Sequence, residues 1–228
     1  MDATYRIISI GAFAAHPLWN EQGAQRTAHA TTTLIEAGKA RILVDPSLPT
    51  QVLAARLSER ANLTPGDITH VFLTSFEPMR RRGLAAFEQA AWLVSERERE
   101  AIGVAMIERL SVAEEAGDAP VRDLLRSEIA ILQRCQPAPD SIAPGVDLFP
   151  LPGVTPGTCG LLLPTSRATV LICGDAVASV EHLEQGKVLP TCADREQAHE
   201  SFREAIEIAD VLVLGRDNYV VNPLRRGV

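Results

Sequence analysis

The stretch HVFLTSFEPMRRRGLAAF, His70 to Phe87, decides how this chain is to be read. It opens on an apolar run, Val71 to Leu73, of the kind found in strands covered on both faces, since a half-exposed strand would alternate polar and apolar residues. A loop follows with Glu77, Pro78 and three consecutive arginines, Arg80 to Arg82. Strand ends that feed such loops are common places for catalytic or metal-binding side chains. Arginine is an unusual residue to find there, because its guanidinium does not deprotonate in proteins and therefore cannot ligate a metal.

Upstream, YRIISI (Tyr5 to Ile10), TTTLIE (Thr31 to Glu36) and RILVD (Arg41 to Asp45) read as short strands separated by turn residues. From Thr50, the spacing of Val52, Leu53, Ala55 and Leu57 predicts a helix that ends before the turn TPGD. Downstream, AWLVSERERE passes from strand to helix, and Ser95 followed by Glu98 has capping-box spacing, in which each side chain satisfies an unpaired amide of the first turn. A second helix is expected over roughly Val121 to Arg134, stopping at the Pro-rich PAPDSIAPG, which reads as a connection between two halves. Strands are expected in VDLFPL, GLLL and TVLICGD. A final helix follows Asp194, with Gln197 three residues on, and leads into VLVLG.

Neither half has enough strands to close a core alone, so residues 1–228 are expected to form a single domain. Strands in both halves with helices between and after them suit two stacked sheets with helices outside. A single doubly wound sheet is the competing arrangement, but GVTPGTCG lacks the G-x-G-x-x-G pattern of a nucleotide-binding turn.

With 22 Lys and Arg against 29 Asp and Glu, the net charge of −7 offers nucleic acid no general attraction. No apolar run reaches membrane-spanning length, and the amino terminus lacks a signal pattern, so a soluble, cytoplasmic protein is expected. The four cysteines show no C-x-x-C spacing and are read as reduced, buried residues. The five histidines lack His-x-His or His-Glu-x-x-His spacing, and Ser75 and Thr74 lack the elbow motif of a serine hydrolase.

Taken in order, ILVDPS, ITHVFLT, RGLAAF, PGVTPGTCGLLL, VLICGDA and VLVLGRDN resemble the framework of the metallo-β-lactamase superfamily over most of the chain. That resemblance implies an αββα sandwich of mixed α/β class. Members usually carry Thr-His-x-His-x-Asp-His, Pro-Gly-His-Thr-Pro-Gly, Gly-Asp and Pro-Gly-His-Asp motifs, whose side chains hold one or two zinc ions. In this sequence Ser75 and Glu77 stand at the first two histidine places, Met79 at the aspartate and Arg80 at the third histidine. Val154 and Arg216 stand at the remaining histidine places, and Asp175 alone persists, where the family's aspartate bridges two metals.

Catalytic zinc needs about three protein ligands and an open position for an acidified water. The resemblance therefore implies that zinc binding is lost and that no cofactor replaces it. The expected cleft comprises Ser75, Glu77, Met79, Arg80, Val154, Asp175 and Arg216, with Arg80 and Arg216 balancing Glu77 and Asp175. The chain is expected to act by binding, either a partner protein, for example a relative or a second copy, or a small anionic ligand held by Arg80 or Arg216. The alternative is an atypical hydrolase of esters, thioesters, lactones or phosphodiesters, with Glu77 and Asp175 as the candidate catalytic groups and Arg216 as oxyanion stabiliser.

Overall fold

The computed structural model describes residues 2–225. The first sheet contains β1 (Thr4–Ser9), β2 (Thr32–Ala37), β3 (Ala40–Val44), β4 (His70–Leu73), β5 (Ala91–Val94) and β6 (Gln136–Pro137), in that spatial order. The second contains β7 (Ser141–Ala143), β8 (Val146–Pro150), β9 (Cys159–Pro164), β10 (Thr169–Ile172), β11 (Val211–Val213) and β12 (Tyr219–Val221), also as neighbours in sequence order. The helices are α1 (Thr50–Ala61), α2 (Glu96–Glu115), α3 (Ala119–Arg134), α4 (Val180–Gln185) and α5 (Arg195–Ile208). Strands β3 to β6 run parallel, as do β10 and β11; the β3–β4, β5–β6 and β10–β11 crossovers carry the helices, and β4 is joined to β5 by a loop with two short 3-10 turns.

Alternation of side chains across the pleat explains the layers. On β4, Val71 and Leu73 face outward into a cluster that includes Leu53 and Leu57 of α1 and Leu132 of α3, while Phe72 between them faces the second sheet. On β10, Val170 and Ile172 meet Phe72, Ile42 and Val44 between the sheets, and Leu171 points the other way to Phe202 and Ala205 of α5. The order helix, sheet, sheet, helix follows, which is the αββα class expected. HVFL reads as a continuous apolar run because both of its faces are covered.

Two expectations need correction. The Pro-rich stretch after α3 is more than a connection: Gln136–Pro137 pairs with β5 and completes an edge of the first sheet, and Ser141–Ala143 pairs with β8 and begins the second. At the start of α2, Ser95 Oγ accepts a hydrogen bond from the Glu98 amide at 3.1 Å, but Glu98 does not reach back to Ser95. Its carboxylate is wholly buried and serves the candidate site instead. Of the cysteines, Cys135, Cys159 and Cys173 are buried and Cys192 is half-buried, all free thiols; burial pushes Cys135 up to about 11 and Cys159 up to about 12. No helix among the described residues is long and apolar enough to cross a membrane.

Candidate functional site

The ends of β3, β4, β10 and β11 bring the site together. Asp45 follows β3, Thr74 to Arg81 follow β4, Asp175 follows β10 and Arg216 follows β11. The crevice at the carboxyl ends of parallel strands is where open α/β sheets place ligands. Backbone conformation helps the approach. Asp45 lies in the left-handed region (φ 48°), one of the few non-glycine residue types that visit it readily. Its amide continues the ladder to the Phe72 carbonyl (3.0 Å) while its carboxylate accepts from the Thr74 amide (2.9 Å) and Thr74 Oγ1 (2.7 Å). Gly174 also has positive φ, +52°, and a Cβ there would sit 2.7 Å from Thr74 Oγ1, so no other residue lets the β10 end lie this close to the β4 end.

Arg80 is the largest fully buried side chain, 1% exposed. Its Nη1 lies 2.6 Å from Asp45 Oδ2, its Nη2 2.7 Å from Asp175 Oδ1, and its Nε 3.3 Å from Glu77 Oε2. Arg216 grips the other edge of Asp175, with Nη2 2.6 Å from Oδ2 and Nε 3.2 and 3.1 Å from the two oxygens. The result is a chain of alternating charge: Asp45, Arg80, Asp175, Arg216. Phe13 closes its end, with the Arg216 guanidinium carbon 4.9 Å from the ring centroid.

This geometry revises the expected charge balance. Glu77 was to complete it, but its side chain is 38% exposed and meets Arg80 only at 3.3 Å. The buried counter-charge is Asp45, 35 residues before Arg80. Arg80 and Arg216 against Asp45 and Asp175 give 2 − 2 = 0 for the buried set. Arg80 is also not open to a ligand, because all three of its nitrogens face carboxylates. Of the other expected residues, Ser75 is buried with Oγ 3.4 Å from Glu77 Oε2, and Met79 is half-buried with its carbonyl accepting from Ser47 Oγ at 2.7 Å. Val154 packs with Phe13, Ala178 and Leu189 in a small apolar cluster beside Arg216.

Burial works against the charge on Asp175, but Arg80 and then Arg216 outweigh it and hold the carboxyl well below its ordinary 3.8. For Asp45, burial prevails over the opposing pull of Arg80 and Thr74, and its carboxyl lies above the ordinary value. Arg80 pays for burial in the same way, yet Asp175 and Asp45 raise it further and it stays charged. A carboxyl depressed on folding contributes stability that is complete above its unfolded value and fades as pH falls through the folded one. The stability gap between the parent protein and Asp175→Asn, which retains Asp45, should therefore be widest near neutrality and start to close below about pH 3.8. Urea unfolding across an acid pH series checks this.

Two features escaped the sequence. Glu98 joins three segments: Oε1 accepts from the Phe76 amide (2.9 Å), and Oε2 accepts from Thr155 Oγ1 (2.7 Å) and the Gly157 amide (3.0 Å). Gly157 is needed for that approach, since a Cβ there would lie 2.0 Å from the Glu98 nitrogen. The second is a histidine pair. His16 Nε2 and His182 Nδ1 both face Ser179 Oγ, at 3.2 and 2.8 Å, and burial lowers His182 to about 4. Their separation of 166 positions in the sequence hides the pairing.

The candidate site gathers at the ends of strands from both sheets, and a family model decides which family the chain belongs to: the metallo-beta-lactamase superfamily model matches residues 27–215. The chain belongs to the metallo-beta-lactamase superfamily. No curated protein matches it in sequence. Among solved structures, it is similar to a Thermotoga maritima protein described as a metallo-beta-lactamase, at 20% identity and TM-score 0.69, covering 97% of this chain and 100% of that one. It is also similar to AidC, a dizinc quorum-quenching lactonase, at 18% identity and TM-score 0.61, covering 78% and 67% of the two chains. A mutant of B. thuringiensis AiiA with N-decanoyl-L-homoserine at its active site matches at 18% identity and TM-score 0.63, covering 95% and 93%. At these identities the structural likeness concerns the fold.

Zinc is the cofactor that this superfamily implies, and the residues present do not fit it. Both Asp175 oxygens are engaged by guanidinium groups, Arg80 and Arg216 cannot ligate a metal, and the Val154 side chain has no lone pair. Among the described residues, no group of three His, Cys, Asp or Glu side chains is arranged to hold a metal ion.

Proposed function

We propose that this metallo-beta-lactamase superfamily protein is a metal-independent binding protein in which a buried ion-pair chain takes the structural place of the zinc centre. The observation that carries the reading is Arg80, buried at 1% exposure with its guanidinium between Asp45 and Asp175 at 2.6 and 2.7 Å. A guanidinium is planar, delocalised and permanently charged, so Arg80 can bridge two carboxylates in a dry site, and with Arg216 it supplies the two positive charges that a divalent cation would. It cannot acidify a water. The pairing also engages two of the groups a hydrolytic alternative would use: Arg216 turns its Nε and Nη2 to Asp175 instead of toward a developing oxyanion.

The similar structures include a lactonase, so lactones belong in a test beside the other substrates of the hydrolytic alternative. Ester, thioester, lactone and phosphodiester substrates should show no turnover above the uncatalysed rate, with or without added zinc. Turnover that resists chelators and disappears in Glu77→Gln would establish the atypical hydrolase instead, with Glu77, the exposed carboxylate of the site, as its general base.

A further inference from the structure

Beside the ion-pair chain, but sharing none of Asp45, Arg80, Asp175 or Arg216, a cavity of about 430 Å³ opens between the loop after β4 and the α2–α3 hairpin. That volume is in the range that holds a small organic ligand. Its long walls are apolar: Phe76 from the loop, Ile102 and Met106 from α2, and Leu124 and Leu125 from α3. Methionine and leucine side chains adapt to the shape of an inserted chain at little cost.

The end nearest the ion-pair chain is different. Glu77, Glu98 and Thr155 border it. Glu98 is wholly buried, and its three hydrogen-bond donors, the Phe76 and Gly157 amides and Thr155 Oγ1, are all neutral. Three donors aimed at both oxygens suit the ionised, acceptor-only carboxylate. Glu77 adds a second carboxylate, held only loosely by Arg80. The third acid of the wall, Glu128, is already neutralised by Arg81, and the one lining cation, Arg109, is exposed at the rim, where water screens it. The interior end is thus electronegative and the body apolar.

We propose that this cavity binds an amphipathic cation: an amine whose ammonium group sits between Glu77 and Glu98 and whose apolar tail lies along Ile102, Met106 and Leu125. The assignment rests on the binding reading above and gives it a ligand class opposite in charge to the one the arginines suggest. An ammonium there forms charge-assisted hydrogen bonds to Glu77, whose ionic partner is Arg80 at 3.3 Å, and lies in the field of Glu98, whose hydrogen-bond partners are all neutral.

Calorimetric titration of the full chain with n-octylamine, octanoate and octanol tests it. Octylamine should bind saturably at neutral pH, and octanoate at least about tenfold more weakly, the scale of one charge-assisted contact. Ala105→Trp, at an exposed position bordering the cavity, should abolish octylamine binding without altering the thermal unfolding midpoint. Glu77→Gln should weaken octylamine while leaving octanol unchanged. The net charge of −7 attracts any cation diffusely, so the Ala105→Trp comparison is the deciding one. Octanoate binding as tight as octylamine, or octylamine binding unchanged in Ala105→Trp, overturns the assignment while leaving a binding role intact. Turnover of an ester or lactone by the parent protein would overturn the binding reading on which it rests.

Discussion

Arg80→Met should lower the free energy of unfolding by about 3–5 kcal/mol, the cost of removing one partner from a buried ion pair. Methionine comes close to the length of the arginine stem and fills much of its volume, so the loss reports charge more than packing. What remains after the substitution is Asp45, buried with no cation, and Asp175, held by Arg216 alone. Adding Asp45→Asn removes the stranded charge and should recover part of the loss, giving a coupling energy between the two positions of about 1–3 kcal/mol. Urea is the denaturant of choice, because guanidinium would itself compete for the carboxylates; the midpoint and slope are read together. Equal destabilisation in the single and double variants would mean that Arg80 acts through volume and not through charge.

Glu98→Gln is the second large effect, a loss of about 3 kcal/mol, since hydrogen bonds to a charged group contribute roughly 1.5–3 kcal/mol each. The carboxylate accepts from the Phe76 amide on one oxygen and from Thr155 Oγ1 and the Gly157 amide on the other. A glutamine has only one acceptor oxygen, so its NH2 must oppose at least one of those donors. The damage should be local as well as global. Amide hydrogen exchange at Phe76 and Gly157 should accelerate more than at core residues such as Phe72, because Glu98 ties the loop after β4 to the loop after β8. Uniform acceleration would indicate a general loss of α2 packing instead.

How far the sequence shows these features depends on how local their causes are. The β4 and β10 strands announce themselves because both faces are buried, which leaves an unbroken apolar run in HVFL and TVLI. Helix α1 is legible from Leu53 and Leu57, which turn one face to the core. The strand β12 is not, because it is a three-residue edge with Tyr219 and Val221 exposed, and β6 is two residues paired on one side. Their stability comes from the strand each pairs with, β11 for β12 and β5 for β6, and local propensity carries little of it.

The site divides the same way. Arg80, Asp175 and Arg216 are picked out by their places in an ordered set of motifs, and the structure brings them together. Asp45 is an ordinary strand-end aspartate in ILVDPS until the β3–β4 pairing sets it beside Arg80. Glu98 fits a local capping pattern, and only the packing of two loops against α2 shows that its carboxylate is spent elsewhere.

The most direct measurement is elemental analysis of the protein purified without chelators, followed by titration with zinc at neutral pH. A guanidinium bound by Asp45 and Asp175 leaves no ligand set, so the zinc and iron content should fall far below one ion per chain, and added zinc should leave the thermal midpoint unmoved. About one tightly held zinc or iron per chain, lost together with Asp175 in Asp175→Asn, would contradict the replacement of metal by arginine.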